Sequence, residues 1–156
     1  MTAVELEPAE PVSLRRARPE DCEAIWRWCA AIEQPPRSAR GDAVGFIEHA
    51  RWFARRLADD IGAIWIVEEY RHGVGVVRLD PPQYGRARLS IALGSAARGR
   101  GIDRTAIAAA CQSWRGPMVI EVFEDHTATC ACLEACRFRA IAVCDGLVTY
   151  HWDPET

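Results

Sequence analysis

Leu93-Gly94-Ser95-Ala96-Ala97-Arg98-Gly99-Arg100-Gly101-Ile102-Asp103-Arg104-Thr105-Ala106-Ile107 joins two different periodicities. Before it, residues 86–93 alternate. Ala87, Leu89, Ile91 and Leu93 fall on one side, and Arg86, Arg88, Ser90 and Ala92 on the other, as in a strand. After it, Ile107, Ala110, Cys111 and Trp114 recur at helical spacing. Between them lies a basic turn. Backbone N–H groups at a helix start, with the positive end of the helix dipole, form an anion site. Gly99 and Gly101 let the backbone approach a ligand closely, and Arg98, Arg100 and Arg104 add charge. A plain strand-to-helix turn with solvated arginines would carry the same residues, so this junction alone does not decide.

Upstream, residues 12–16 read as a strand. Pro19, Glu20 and Asp21 open a helix whose buried stripe is Cys22, Ile25, Trp28, Cys29 and Ile32. A loop over residues 33–45 precedes a second helix carrying Phe46, Ala50, Phe53 and Leu57 on one face. Residues 63–68 and 74–79 form a hairpin about Arg71-His72-Gly73, and Asp80-Pro81-Pro82 ends the second strand. Downstream come a strand over 119–123, a short helix over 127–136, and strands over 138–143 and 147–152 flanking Asp145-Gly146, a strong hairpin signal. The order is strand, two helices, three strands, helix, strand, helix, two strands. This predicts an α/β fold with a mixed sheet.

The chain has 156 residues, which suits one domain over residues 12–156 after an acidic, disordered lead over residues 1–11. Apolar residues make up 49% and charged residues 26%, and the net charge is -3. No broad basic surface invites nucleic acid or anionic membrane, and no apolar run is long enough to span a bilayer. These features predict a cytoplasmic protein. The 7 cysteines form no CxxC pair, so they read as buried thiols and no metal site is expected. All 19 positive residues counted are arginine, and asparagine is absent too, which a GC-rich bacterial genome explains.

The strand, the Arg98-x-x-Gly101 turn and the amphipathic helix, placed mid-chain after a hairpin pair, resemble the acetyl-CoA motif of the GNAT superfamily. The resemblance spans about residues 12–138. More narrowly, the chain is similar to amino-sugar N-acetyltransferases of pseudaminic-acid-type pathways. The residues behind that likeness are His49-x-x-Trp52-Phe53, Leu57-Ala58-Asp59, Gly75-Val76-Val77-Arg78-Leu79-Asp80, Glu134 and Phe138.

The resemblance implies a mixed, mostly antiparallel central sheet flanked by about four helices. It implies acetyl-CoA as cosubstrate, no metal, and the primary amine of a small molecule as acceptor, with a nucleotide-linked amino sugar as the narrower reading. The strand ending at Leu93 would splay from the Val119 strand. Ile91, Ala92 and Leu93 would line pantetheine, a free N–H there would polarise the thioester carbonyl, and residues 98–104, with Ile102 and Asp103, would hold the pyrophosphate. Thr129 joins the cofactor set.

Five positions depart from the family pattern. Asp103 replaces Gly or Ala, Cys29-Ala30-Ala31 replaces Arg-Asn-Asp, and His126 replaces Asn. Leu133 replaces the Tyr or Phe of the last helix, and Arg137 replaces Gly. His126 is therefore the candidate acid, although a cap or surface histidine is the plainer reading. Glu121 is the candidate base, although a solvated strand carboxylate explains it equally well. His49 and Trp52 are candidate acceptor residues, or merely cover the sheet. Asp103 is expected to cap the helix after Gly101. Trp26 and Trp152 could mark a partner surface, which leaves a homodimer open. The altered polar positions also suit a module that binds without catalysing.

Overall fold

The computed structural model describes residues 11–30, 45–59 and 62–154. The loop over 33–45 (all but Gly45), the lead before Pro11, and Ala31 and Ile32 lie outside the described residues. The elements run β1 Val12–Arg16, α1 Cys22–Ala30, α2 Phe46–Ala58, β2 Ala63–Glu69, β3 His72–Gln83, β4 Arg86–Leu93, α3 Ile102–Trp114, β5 Met118–Phe123, α4 Thr127–Ala135, β6 Arg139–Cys144 and β7 Leu147–Trp152. The sheet order is β1-β2-β3-β4-β5-β7-β6. Every pairing is antiparallel except β4 with β5. The expected α/β, mostly antiparallel architecture with four helices is present.

Period-two alternation gives the sheet two buried faces. On one, Val77, Leu79, Leu89, Met118 and Ile120 pack against Ile102, Ala106, Ile107 and Ala110 of α3 and Leu133 of α4. On the other, Ile64, Ile66, Val76 and Ala92 pack against Ile25 of α1 and Phe53 of α2. The start of α1 is tied to the sheet through Asp21. Its carboxylate accepts the Arg18 N–H at 2.7 Å and both terminal nitrogens of Arg15 at 2.9 Å, while Arg15 Nε donates to Glu68 at 2.6 Å.

Two local expectations need correction. The first hairpin turns on Tyr70 and Arg71, both at positive φ (51° and 73°), and not on Arg71-His72-Gly73. A two-residue turn of that type matches strand twist. Gly73 instead lies in β3, with the Trp28 ring 3.4 Å from where a Cβ would stand. Asp80-Pro81-Pro82 does not end β3, which continues to Gln83 through a register shift between Asp80 and Gln83. The β2 ladder has already ended at Leu79, so the missing proline N–H groups break no bond on that side.

Candidate active site

β4 and β5 diverge. Their parallel ladder holds only two pairs, Ala87↔Met118 and Arg88↔Val119. Beyond these, residues 89–93 and 120–123 leave a cleft between the strands. The N–H of Gly94 donates to the Val74 carbonyl at 2.8 Å, and that of Ala87 to the Pro117 carbonyl at 3.0 Å. Alternation of the antiparallel ladder therefore turns the polar backbone groups of Ser90 and Ala92 toward β3. Those of Leu89, Ile91 and Leu93 face the cleft. Trp28 packs on the end of β4: its indole nitrogen lies 3.2 Å from where a Cβ on Gly94 would stand, so a side chain there would press α1 back by a few tenths of an ångström.

The anion turn follows. Gly99 and Gly101 stand at φ 75° and 80°, and an added Cβ would meet nothing within 4 Å at either, so the turn is left-handed and open on its outer side. Gly101 is the N-cap of α3, and Ile102 its first residue. This corrects the expectation that Asp103 caps the helix. The left-handed Gly101 starts α3 earlier and leaves Asp103 inside its first turn. Asp103 still consumes a first-turn donor, since its Oδ1 accepts the Arg104 N–H at 2.9 Å. It also faces α4: burial and then the charge and hydrogen bond of Asp103 push the Cys132 thiol up to about 11.

The three arginines are not equivalent. Arg98 Nε donates to the cleft-facing Leu93 carbonyl at 3.2 Å. Arg100 pairs with Glu69 and donates to the Ala96 carbonyl at 3.3 Å. Arg104 makes no ion pair among the described residues, and its charge lowers the Cys136 thiol that burial raises.

The remaining candidates separate by face. Glu121 lies on the α1–α2 side of β5, paired with Arg88 Nη1 at 3.1 Å. His126 is exposed at the start of α4, edge-on to Phe123 at 5.9 Å. Its side chain makes no capping bond. Thr129 is half-buried in the first turn of α4. Leu133 is fully buried in the core beneath that helix. Behind it, the buried Tyr150 hydroxyl donates to Glu134 at 3.1 Å, and burial first, then contacts with Cys130 and Glu134, raises its pKa.

His49 and Trp52 part company. His49 is buried, its Nε2 lies 3.0 Å from the Cys22 carbonyl, and its ring stacks on Phe53. A carbonyl only accepts, so Nε2 carries the proton. This ring joins α1 to α2. Trp52 is half-buried between two guanidiniums, Arg56 at 5.5 Å and Arg78 at 5.1 Å from its ring. Arg56 Nη1 binds Asp80 Oδ1 at 2.6 Å, and Arg78 Nη2 reaches Asp80 Oδ2 at 3.4 Å. Arg56, Arg78, Asp80 and Arg88 were absent from the candidates read in the sequence. For Arg78, Asp80 and Arg88 the available signal was charge on alternate positions of strands otherwise full of Val and Leu; Arg56, on α2, gave no such signal. Trp26 packs edge-on to Phe46, and Trp152 against Phe138. Among the described residues, Ile141 and Val143 on β6 are exposed large apolar residues. Among the described residues no set of three metal-ligating side chains gathers, and no helix is long and apolar enough to cross a membrane.

The fold is shared with solved N-acetyltransferases. A dodecameric spermidine N-acetyltransferase from Vibrio cholerae superposes with a TM-score of 0.75 at 16% identity, covering 93% of this chain and 95% of that one. A ribosomal-protein-alanine N-acetyltransferase from Brucella melitensis gives 0.74 at 19%, covering 90% and 99%. The yncA protein of Salmonella typhimurium, solved with acetyl-CoA as its cofactor, gives 0.73 at 16%, covering 93% and 95%. No curated protein sequence matches significantly. The acetyltransferase (GNAT) domain profile matches residues 12–139, through the splayed strands, the open glycine turn and α4, and the chain belongs to that family of acetyl-CoA-dependent acetyltransferases.

Proposed function

We propose that this protein transfers the acetyl group of acetyl-CoA to the primary amine of a small molecule, with a nucleotide-linked amino sugar as the narrower reading. The observation that carries it is the β4–β5 cleft, lined by backbone groups of Leu89, Ile91 and Leu93 and ending at the open turn of Gly99 and Gly101. The cofactor supplies an acyl thioester. The chain's own groups suit it: N–H donors at the start of α3 for phosphate, and the strand edge of β4 for amides. The Ile91 N–H is the donor for the acyl oxygen. Glu121, on the acceptor face, accepts the amine proton, and His126 is the proton donor to the departing sulfur. Thr129 completes the cofactor wall.

A second reading rests on Asp103, Leu133 and Arg137: a module that keeps the fold and binds a ligand without transferring an acyl group. A thermal shift with acetyl-CoA tests what both share. At 100 times the dissociation constant the protein gains ~2.7 kcal/mol. No shift at millimolar acetyl-CoA overturns the cofactor assignment. CoA release across amines, nucleotide sugars and peptides then separates the readings, since turnover of any of them rules the second one out.

A further inference from the structure

The acceptor wall carries an excess positive charge. It consists of Arg78 on β3, Ser90 and Arg88 on β4 and Glu121 on β5, all on the α1–α2 face, with Trp52 of α2 above Arg78. Arg78 stands directly across from Ser90, one strand spacing from the cleft strand and one residue from the level of Ile91. Three guanidiniums, those of Arg56, Arg78 and Arg88, share two carboxylates, Asp80 and Glu121. Asp80 is held closely by Arg56 at 2.6 Å, so Arg78 has only the weaker share at 3.4 Å. Arg78 Nε forms an ion pair with Asp80 Oδ1 at 3.1 Å that lies off the line of a hydrogen bond, so this buried N–H has no hydrogen-bond partner. The Arg78 side chain is 31% exposed. Its donors are therefore under-used, and Trp52 holds the guanidinium plane in place.

Half-buried guanidiniums with spare N–H groups fit an oxyanion, and a polycation would meet repulsion here. We propose that the acceptor is a primary amine carrying a carboxylate or phosphate, and that Arg78, supported by Trp52 and Asp80, reads that oxyanion while the amine faces the cleft. Arg88 lends a second charge. The inference rests on the acetyltransferase reading and narrows its substrate class. A free amino acid, a phosphorylated amine and a nucleotide-linked amino sugar all present this chemistry, and a polyamine does not.

The test is initial-rate CoA release with matched acceptors: an amino acid and its amide, phosphoethanolamine and ethanolamine, a nucleotide-linked amino sugar and the free amino sugar, and spermidine. In at least one pair the anionic member should show a kcat/KM at least about tenfold above its neutral partner, as expected for hydrogen bonds to a charged group. The pair that does so identifies the source of the oxyanion. In Arg78→Gln that ratio should collapse, mainly through a higher KM for the anionic member. Arg78→Lys should restore part of it and guards against simple misfolding. Neutral amines or spermidine matching the anionic acceptors, or an unchanged ratio in Arg78→Gln, overturns the inference while leaving the enzyme reading intact. Acetyl-CoA binding without turnover of any acceptor overturns both.

Discussion

The backbone N–H of Phe138 donates to the carbonyl of Leu133 at 2.9 Å, closing α4 across Arg137, which stands at φ 75°. Arg137 itself donates to the Glu134 carbonyl at 3.0 Å. The pair of bonds is a Schellman motif, and the residue in the left-handed position is where glycine costs least.

Arg137→Gly should therefore stabilise the protein by ~1 kcal/mol, since an L side chain in this conformation costs about 1–2 kcal/mol. For a chain of this size that raises Tm by roughly 2–4 °C in calorimetry. An unchanged or lower Tm would show that the arginine side chain compensates for its backbone.

Asp103→Gly should tighten CoA binding about three- to tenfold. The carboxylate occupies the Arg104 N–H and places a negative charge in the first turn of α3. At about 5 Å and an effective dielectric of 20, a unit-charge pair is worth roughly 3 kcal/mol before screening. Asp103→Asn, which keeps an acceptor and removes the charge, should tighten it less. Calorimetric titration at two salt concentrations checks both, and the advantage of Asp103→Gly should shrink at high salt. Equal affinities would mean that the phosphates lie away from this side chain.

Glu121→Gln should lower kcat by about 10²- to 10⁴-fold, the usual contribution of a positioned base. His126→Asn should cost less, because a thiol with a pKa of roughly 8.5 leaves tolerably without an acid. A full-rate Glu121→Gln enzyme assigns Glu121 to the Arg88 ion pair alone.

His49 predicts how stability depends on pH. Burial lowers its pKa below 6.5, against the opposing effect of the Cys22 carbonyl. The unfolded chain thus binds the proton more readily than the folded one. The stability contributed by neutral His49 is full above about pH 6.5 and is lost as pH falls toward the folded value, with a slope of at most ~1.4 kcal/mol per pH unit. His151, also lowered by burial, adds in the same direction. His49→Gln, whose amide can still donate to Cys22, should flatten the decline in Tm between pH 6.5 and 5. If the profile is unchanged, His151 carries the effect.

Much of the fold is legible in the sequence because its two periods are clean. The alternation over residues 86–93 and the stripe of Ile107, Ala110 and Cys111 read directly as β4 and α3. Turn register is less legible. Gly73 and Pro81-Pro82 look like punctuation, yet a bulky Trp28 ring and a β-bulge use them inside β3. The glycine turn of the site was legible from local composition. The acceptor wall was not, because Arg78, Arg88 and Glu121 come from three strands whose order no single segment encodes. Asp103 was misplaced by two helix positions, since nothing local distinguishes a capping aspartate from one behind a left-handed glycine.

The two-pair ladder between β4 and β5 has a consequence for folding cooperativity. The sheet is two blocks, β1 to β4 and β5-β7-β6, stitched by Ala87↔Met118 and Arg88↔Val119 and by α3 packed across both. Such a seam has few hydrogen bonds to lose, so the blocks should open from one another at less free energy than global unfolding requires. In native-state hydrogen exchange, the Ala87 amide, bonded across the seam to Pro117, should exchange through that local opening, whereas the cleft-facing amides of Ile91 and Leu93 should exchange without it. A ligand seated in the cleft acts as the missing rungs: it should slow those amides first, and bring the two blocks into a single cooperative unit.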